Sequence, residues 1–303
     1  MTIKVATKGT GRADSPTIRE GARSRAVLAG LRRDRTATIG VIVVSFFALI
    51  AVFAPLLAPH DPNAVDVVRK FAPLSWNHPL GTDNLGRDVL SRILFGARVS
   101  IGSAVVAALA ITCVGLVMGM LAGYFGGLTD ALISRVIDVL LAFPTFLLAL
   151  AITGGLGPGL RNIMLAIIIS WWASPARIVR SAVLAEREKA YVEAARSLGA
   201  SDGHLLFRHL LPNIVAPIVV LTTLDMGALL LGISGLSFLG LGVKPPTAEW
   251  GAMLAEGKNY LSQDINMMLF AGLAIFLMVL GCNLLGDGLR DALDPRLSHQ
   301  QHR

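Results

Sequence analysis

The feature that most restricts how this chain can fold is a series of apolar runs, each about twenty residues long. The first run, residues 36–59, contains no charged side chain and follows a basic stretch at residues 32–35. At about 1.5 Å per helical residue, such runs cross a hydrocarbon core of about 30 Å. They show no alternation of apolar and polar residues, so they predict helices rather than barrel strands. The chain is expected to be an all-α polytopic membrane protein.

The composition agrees with a location in the bilayer. Hydrophobic residues make up 54% of the chain and charged residues only 16%, whereas soluble domains keep about a quarter of their residues charged. The net charge of +7 is not gathered into a stripe of cations and aromatic residues, so no nucleic-acid partner is predicted. Cys113 and Cys282 lie inside apolar runs without metal-ligand or disulfide spacing, which favours a packing role.

Six transmembrane helices are predicted from the apolar runs. Their expected bounds are 36–59, 99–123, 131–153, 162–181, 213–240 and 266–287. The fourth has a short charge-free portion, so it spans only if Arg177 and Arg180 extend along their methylene stems to the interface. Of the 27 Lys and Arg residues, 19 fall on the side of the N-terminus, which predicts that both termini are cytoplasmic.

The order of polar and apolar stretches also predicts the domain organisation. The basic leader is too long for the charged region of a signal peptide and no cleavage motif follows it, so it is expected to remain attached. The predicted segments are a cytoplasmic leader 1–35, a first transmembrane helix 36–59, an external loop 60–98, a five-helix core 99–289 with a cytoplasmic loop at 185–212, and a cytoplasmic tail 290–303.

The cytoplasmic loop has the sequence of two helices joined by a sharp turn. Helix formers run unbroken over residues 185–198, and Gly199 suits a left-handed stop. Ser201 or Asp202 can cap a second short helix, which is expected to end at Leu211 before a proline. Such a pair of polar helices gains little stability when it lies alone on a membrane surface. The loop is therefore predicted to be a docking surface for a partner protein. An amphipathic helix at the membrane interface is the alternative.

A groove of the partner protein would contact both charged and apolar side chains of this loop. Glu193 and Arg196 are the candidates for ion pairs with the partner. The apolar side chains that the groove is expected to bury are Leu198, Leu205, Leu206 and Phe207.

The sequence contains no recognisable catalytic motif. None of the six lysines is followed by Ser or Thr in a glycine-rich loop, so there is no P-loop for ATP. A nucleophile elbow, a zinc helix and a catalytic triad are absent as well. His204 and His209 fall on different helix faces, and His299 and His302 belong to the terminal tail, so no metal site is predicted. The chain is not expected to be an enzyme.

Three stretches resemble motifs of ABC-importer permeases. Glu-Ala-Ala at residues 193–195 precedes Gly199 by three residues, and nine residues then lead to a His-Leu-Leu-Pro run. This spacing resembles the EAA loop, which docks onto the ATPase. Residues 78–100 and 283–295 resemble hallmarks of the peptide and nickel branch of these permeases. The resemblance covers about residues 36–297.

The resemblance implies a fold, partners and a mechanism. The fold is that of a type I ABC-importer permease in a prokaryotic cytoplasmic (inner) membrane. The implied partners are a second homologous permease, two ATPase subunits or domains that carry ATP and Mg²⁺, and an extracytoplasmic substrate-binding protein, with no cofactor in this chain. Transport is expected to proceed by alternating access. The residues implied in ATPase docking are Glu193, Ala194, Ala195, Arg196, Gly199, Leu206 and Pro212.

The external loop is turn-rich and densely charged, with Asp83, Arg87 and Asp88 as its candidate functional residues. Its predicted length of nearly forty residues exceeds that of most structureless connections, which favours a folded or functional loop. It is expected to cover the external mouth or to meet the binding protein, and a solvated connector is the alternative.

The cargo is predicted from a carboxylate in the fifth span. Asp225 lies near mid-bilayer, where an ionised group is costly and is by default a functional-site candidate. Met226 adds a soft donor, and residues 219–251 are similar to nickel-importer permeases, so nickel or a metal chelate is the expected cargo. Short peptides are the alternative within the family, and an ion-coupled secondary carrier is a more distant one. Asp225 can instead pair with Arg135, although that arginine is expected to pair with Asp138 on its own helix.

Overall fold

The computed structural model describes residues 34–293, and this part of the chain is a bundle of helices. The helices are α1 (Arg35–Leu57), α2 (Val89–Phe125), α3 (Gly127–Leu141), α4 (Thr145–Leu156), α5 (Leu160–Trp171), α6 (Ala173–Arg187), α7 (Ala190–Ser197), α8 (Asp202–Leu241), α9 (Trp250–Lys258) and α10 (Asn266–Leu293). The predicted all-α class is confirmed. Most of the predicted leader and tail lies outside the described residues.

Five helical segments of the described part are long and apolar enough to cross a bilayer. They are α1, α2, α5 together with α6, α8 and α10. The third predicted span, 131–153, is not one straight helix, because α3 and α4 meet at an angle of 88°. Pro144 lies at this break; a proline has no N–H donor and disfavours the helical conformation of the residue before it. The count is six when the bent pair is taken as one span.

The second span begins at Val89 and not at residue 99, so the external loop is shorter than predicted and covers residues 58–88. Asp88 caps α2 by accepting a hydrogen bond from the backbone N–H of Ser91 at 2.8 Å. Charged residues in the first turns of α2, such as Arg92, favoured a loop in the sequence. In the structure Arg92 is buried and ion-paired, so the helix tolerates it.

Glycines allow the helices to pack at short distances. A side chain at Gly119 of α2 would lie 2.5 Å from the carbonyl oxygen of Ala176 of α6. Gly40 of α1 meets α10 in the same way, since a side chain there would lie 2.5 Å from the backbone nitrogen of Leu285. Small residues at such positions stabilise membrane bundles through direct backbone contact.

Apolar side chains also face outward, as a membrane protein requires. Ile42 and Leu56 of α1 are exposed examples, and lipid or a neighbouring subunit can cover them. The two ends of the bundle are named by the orientation that the charges predict. The end of α8 at Asp202 is then cytoplasmic, and its end at Leu241 is external.

Candidate coupling surface and translocation path

The predicted docking segment, residues 185–212, is a helical corner at the cytoplasmic end of the bundle. We call it the docking corner, and its two arms are α7 and the first turns of α8. Helix α6 ends at Arg187, two residues interrupt the helix, and α7 follows. Gly199 has φ +85°, the left-handed conformation that ends α7. The Ser201 hydroxyl accepts a hydrogen bond from the backbone N–H of His204 at 3.4 Å, at the start of α8. The predicted turn and cap are confirmed, whereas the predicted unbroken helix over 185–198 is wrong.

The second arm of this corner differs from the prediction. It does not end at Leu211, because α8 continues through Pro212 into the fifth span. A widened π-helical turn, Leu205–Leu210, precedes the proline. Asn213 Nδ2 donates to the carbonyl oxygen of His209 at 2.7 Å. These features accommodate a residue that lacks an N–H donor, so the helix is not interrupted. The docking arm and the fifth span are one continuous helix.

The corner has a buried side and an exposed side. Val192 of α7 and Leu205 of α8 are buried in one apolar cluster with Val183 of α6. Leu198 and Phe207 are exposed over 88% and 69% of their surface. Leu205 was expected in a partner groove, but its contacts within the bundle already bury it. The apolar surface left for a partner is therefore centred on Leu198 and Phe207.

Most of the residues implied in docking lie on the exposed side. The half-buried ones are Ala195 and Leu206, which pack at the edge of the same cluster. The exposed ones are Glu193, Ala194, Arg196, Gly199 and Pro212. The Glu193 carboxylate forms no ion pair within residues 34–293, so a cation of a partner protein can reach it.

Tyr124 joins the end of α2 to both arms of the corner. Its hydroxyl donates to Asp202 Oδ1 at 2.5 Å. The Arg196 guanidinium lies 5.7 Å from its ring centroid, within cation–π range. Arg187 Nη1 donates to the carbonyl oxygen of Gly123 at 2.9 Å. Sequence reasoning missed Tyr124 because its partner Asp202 is 78 residues away and no local motif marks it.

A second tyrosine links α6, α7 and α8. The Tyr191 hydroxyl donates to Glu186 and accepts a hydrogen bond from Asn213 Nδ2 at 3.1 Å. Lys189 Nζ lies 2.6 Å from the same Glu186 carboxylate. Burial, and then the hydrogen bond to Glu186, raise the pKa of Tyr191 to about 12. The hydroxyl therefore keeps its proton at physiological pH. This network stabilises the two-residue break that interrupts the predicted helix.

An open cleft of about 520 Å³ lies between the end of α2 and α7. Its lining residues are Tyr124, Phe125, Arg187, Glu188, Val192, Glu193 and Arg196. Two acidic and two basic side chains are among them, so the cleft is suited to a polar segment of a partner whose charges are complementary.

Two ion pairs join the cytoplasmic half of α6 to α3. Arg180 contacts both carboxylate oxygens of Asp130, and Arg177 donates to Asp138. The predicted pairing of Asp138 with Arg135 is wrong. Arg177 of the neighbouring helix reaches the Asp138 carboxylate, while Arg135 is exposed.

Asp225 and Met226 lie on α8 at intermediate depth. Asp225 is thirteen residues beyond Pro212, which corresponds to a rise of about 20 Å. Its side chain is half-buried and makes no hydrogen bond or ion pair with any described residue, so the alternative pairing with Arg135 is not formed. Met226 packs against the apolar core. The structure thus leaves the carboxylate unpaired and gives the thioether a packing role.

The external loop is folded around an internal network of charges. Arg87 Nε donates to Asp83 Oδ2 at 2.6 Å, and Arg87 Nη2 donates to Glu256 of α9. Arg92 Nη2 lies 3.3 Å from the same glutamate carboxylate. Buried charges require such partners, because an unpaired charge in an apolar interior is costly. The network therefore fastens the loop to α9.

The candidate functional residues that the sequence indicated in the external loop are buried inside it. Asp83, Arg87 and Asp88 are all buried, so a partner protein does not reach them in this conformation. The expectation of a charge-dense contact surface is wrong for these three side chains. The loop exposes apolar residues instead, with Trp76 fully exposed and Val68 nearly so.

Two family profiles match the chain. The profile of the binding-protein-dependent transport system inner membrane component matches residues 115–299, which is more than half of the chain. The profile of the N-terminal TM domain of oligopeptide transport permease C matches residues 24–79. The first match contains the docking corner and Asp225, and the second contains α1 and most of the external loop.

Curated relatives match over most of their length. The dipeptide transport system permease protein DppC of Alkalihalophilus pseudofirmus is 42% identical over 88% of this chain and 88% of its own. The nickel transport system permease protein NikC of Escherichia coli is 42% identical over 86% of this chain and 94% of its own. The glutathione transport system permease protein GsiD of Pectobacterium atrosepticum is 44% identical, with coverages of 88% and 89%. Sequence identity therefore does not single out nickel.

A solved structure has the same fold. The inward-facing MetNI methionine ABC transporter matches with a TM-score of 0.53 and 18% sequence identity, over 68% of this chain and 98% of that chain. At this identity the match shows the fold alone. It confirms the predicted type I importer permease fold.

The apolar helices and the relatives together show a multi-pass inner-membrane protein. A permease subunit is not itself an enzyme, since separate subunits of such importers hydrolyse ATP. ATPase and substrate-binding partners follow from the same assignment. The chain belongs to the family of binding-protein-dependent transport system inner membrane components, the permease subunits of ABC importers.

Proposed function

We propose that this permease imports short peptides by alternating access. It acts with a second homologous permease, two ATPase subunits or domains and an extracytoplasmic binding protein. ATP and Mg²⁺ bind to the ATPases and not to this chain. One observation carries the proposed coupling: the exposed docking arm and the helix that contains Asp225 are one continuous helix.

The coupling step begins at the exposed side of the docking corner. A groove in the ATPase buries Leu198 and Phe207, which present apolar surface to the cytoplasm. The buried contacts of Val192 and Leu205 fix the corner to α6 and α8, so a movement of the ATPase moves these helices as well. ATP-driven closure then favours the outward-open state, and hydrolysis favours the inward-open state. Each state is selected by the contacts that it alone makes with the ATPase.

Asp225 supports a cargo that carries a positive charge. A carboxylate at this depth is costly when unpaired, and a cation that passes it lowers that cost. The α-ammonium group of a peptide supplies such a cation. The oligopeptide permease profile and the dipeptide and glutathione permeases among the relatives support a peptide cargo.

Nickel is the second candidate cargo. NikC is as similar to this chain as DppC is, and a metal cation would also pair with Asp225. Met226, however, packs against the apolar core, which gives its thioether a packing role. One carboxylate alone is a poor binding site for Ni²⁺, because imidazole nitrogen suits this ion better than carboxylate oxygen does. The packing of Met226 weakens the argument for nickel from a soft donor, and we therefore propose a peptide as the cargo.

Reconstitution in proteoliposomes tests the proposal. The chain, a homologous permease, the ATPases and the binding protein are combined, and uptake of a radiolabelled dipeptide and of radiolabelled nickel is measured with and without ATP. We expect ATP-dependent uptake of the dipeptide. Uptake of nickel alone would reassign the cargo. Uptake that persists without ATP when a proton gradient is present would indicate a secondary carrier and overturn the mechanism.

An Asp225→Asn variant tests the role of the carboxylate separately. It keeps the shape of the side chain and removes its charge. We expect lower dipeptide uptake while ATP hydrolysis by the complex continues. Asp264→Asn in the external connection before α10 is the matched control and is expected to leave uptake unchanged. Equal uptake by both variants would contradict the proposed role of Asp225.

A further inference from the structure

We infer that His60, His78 and Asp88 form a binding site for one divalent transition-metal ion in the external loop. The ligand atoms that the three residues offer all lie within 4.8 Å of one another. The inference goes beyond the proposed function, because it concerns a structural ion and does not depend on the cargo.

The two distances from the carboxylate oxygen to the histidine nitrogens fit a metal site. His78 Nδ1 lies 2.9 Å from Asp88 Oδ1, and His60 Nδ1 lies 3.9 Å from the same oxygen. Zinc and similar ions bind histidine nitrogen and carboxylate oxygen at about 2.0–2.2 Å, so two donors on one ion lie up to about 4 Å apart. Two imidazoles and a carboxylate are a donor set that suits zinc, nickel or cobalt, with water in the remaining position.

Ser91 orients the carboxylate and one of the histidines. Its backbone N–H and hydroxyl both donate to Asp88 Oδ2, at 2.8 and 2.7 Å. The other carboxylate oxygen, Oδ1, faces the histidines. The Ser91 hydroxyl also accepts a hydrogen bond from the backbone N–H of His60 at 3.1 Å. Such outer contacts fix the ligands of metal sites before the ion binds.

The position of His60 distinguishes this cluster from an ordinary buried His–Asp pair. The hydrogen bond between His78 and Asp88 is complete without it. Yet the His60 ring stacks on the His78 ring, with centroids 4.7 Å apart and planes at 30°. Its ring nitrogens form no hydrogen bond within the described part of the chain. The side chain is 39% exposed, so the ring can turn to direct Nδ1 at the ion.

Arg69 is the group that the ion displaces. Its Nη1 lies 3.4 Å from His78 Nε2, which favours the tautomer with the proton on Nδ1. When Nδ1 binds a metal, the proton resides on Nε2 and Arg69 loses this acceptor. Arg69 Nε is already 3.3 Å from Asp66 Oδ2, and the arginine side chain is more than half exposed. It can therefore turn to that carboxylate.

A bound ion would connect the two ends of the external loop. His60 is close to the end of α1, and Asp88 is the cap of α2. A link between them removes conformational freedom from the 58–88 segment, as other cross-links do. Greater resistance of this segment to protease is therefore expected when the metal is present.

The test is a titration of the full chain in lipid nanodiscs, purified without a histidine tag and treated with a chelator. Co²⁺ is the probe, because its visible absorption reports nitrogen and oxygen ligation, and Zn²⁺ is added to displace it. We expect one saturable Co²⁺ site. His60→Ala, His78→Ala and Asp88→Asn are each expected to weaken it about tenfold or more. Asp88→Asn retains an oxygen that can cap α2, and His60→Ala leaves the buried pair intact, so both variants should fold.

Two control variants locate the site. His204→Ala removes one of the two histidines of the cytoplasmic loop. A His299→Ala/His302→Ala double variant removes both histidines of the tail. Both are expected to bind Co²⁺ as the unaltered chain does. The inference is overturned if no saturable site is found, if His60→Ala binds with unchanged affinity, or if a control variant is the one that loses binding.

Discussion

Arg180 donates two parallel hydrogen bonds to Asp130, from Nε to Oδ1 at 2.5 Å and from Nη2 to Oδ2 at 2.6 Å. The pair joins α6, which leads into the docking corner, to α3, the first half of the bent pair. A bidentate pair of this kind fixes orientation as well as distance. The docking corner and the bent pair are thus expected to move together.

Arg180→Lys tests this connection. Lysine keeps the charge but cannot donate two parallel hydrogen bonds. Because the pair is partly exposed, we expect the free energy of unfolding to fall by only about 1 kcal/mol. Denaturant unfolding in detergent measures it. Arg135→Lys, at an exposed position on α3, is the control and should be neutral. An equally stable Arg180→Lys variant would show that the pair is incidental.

Gly199→Glu is expected to abolish ATP-driven uptake without preventing membrane insertion. Gly199 has φ +85°, a conformation that costs other residues about 1 kcal/mol or more, so the turn between α7 and α8 would be distorted. Gly203→Glu adds the same charge at a helical position where a side chain meets open space, so it is the control and is expected to retain uptake. Uptake and membrane content are measured for both variants. Normal uptake by Gly199→Glu would refute the role of the turn.

Phe207→Ser is expected to weaken the ATPase complex. An aromatic hot-spot side chain at the centre of a docking surface contributes about 2 kcal/mol or more, which corresponds to a loss of affinity of about thirtyfold or more. Binding of the purified ATPase to the chain in nanodiscs gives the measurement. Trp76→Ser removes a fully exposed aromatic residue from the external loop and should not change ATPase binding. Equal loss in both variants would point to general destabilisation.

Glu256→Gln is expected to destabilise the external loop. The change leaves Arg87 and Arg92 buried with Asp83 as their remaining ion-pair partner among the described residues. Removal of one partner from a buried ion pair costs about 3 kcal/mol. Thermal unfolding and protease cleavage within residues 58–88 both report the effect. Asn259→Ala, just past the end of α9, is the control. A variant as stable as the unaltered chain would show that the two arginines are adequately solvated.

Features determined by nearby residues could be predicted from the sequence. The apolar runs indicated the spans because their length must match the bilayer. Gly199 and Ser201 indicated a turn and a cap because both roles depend on the residue itself and its immediate neighbours. The break at Pro144 has a local signal as well, because a proline inside a span is a hinge point.

Features determined by distant residues could not be predicted in this way. Arg92 resembled a loop residue because its partner, Glu256, is 164 residues away. Asp138 was assigned to the wrong arginine because Arg177 of another helix competes for it. Proximity in the folded chain decided both cases, and neither composition nor spacing reports proximity.

The unbroken helix from Asp202 to Asp225 has a mechanical consequence. The π-helical turn at Leu205–Leu210, Pro212 and Pro217 all interrupt its regular hydrogen-bond ladder on the cytoplasmic side of Asp225. Bending of the helix is therefore expected to concentrate in this stretch. A displacement of the docking end is then expected to reach Asp225 partly as a change of bend at the prolines and partly as a shift of the whole helix.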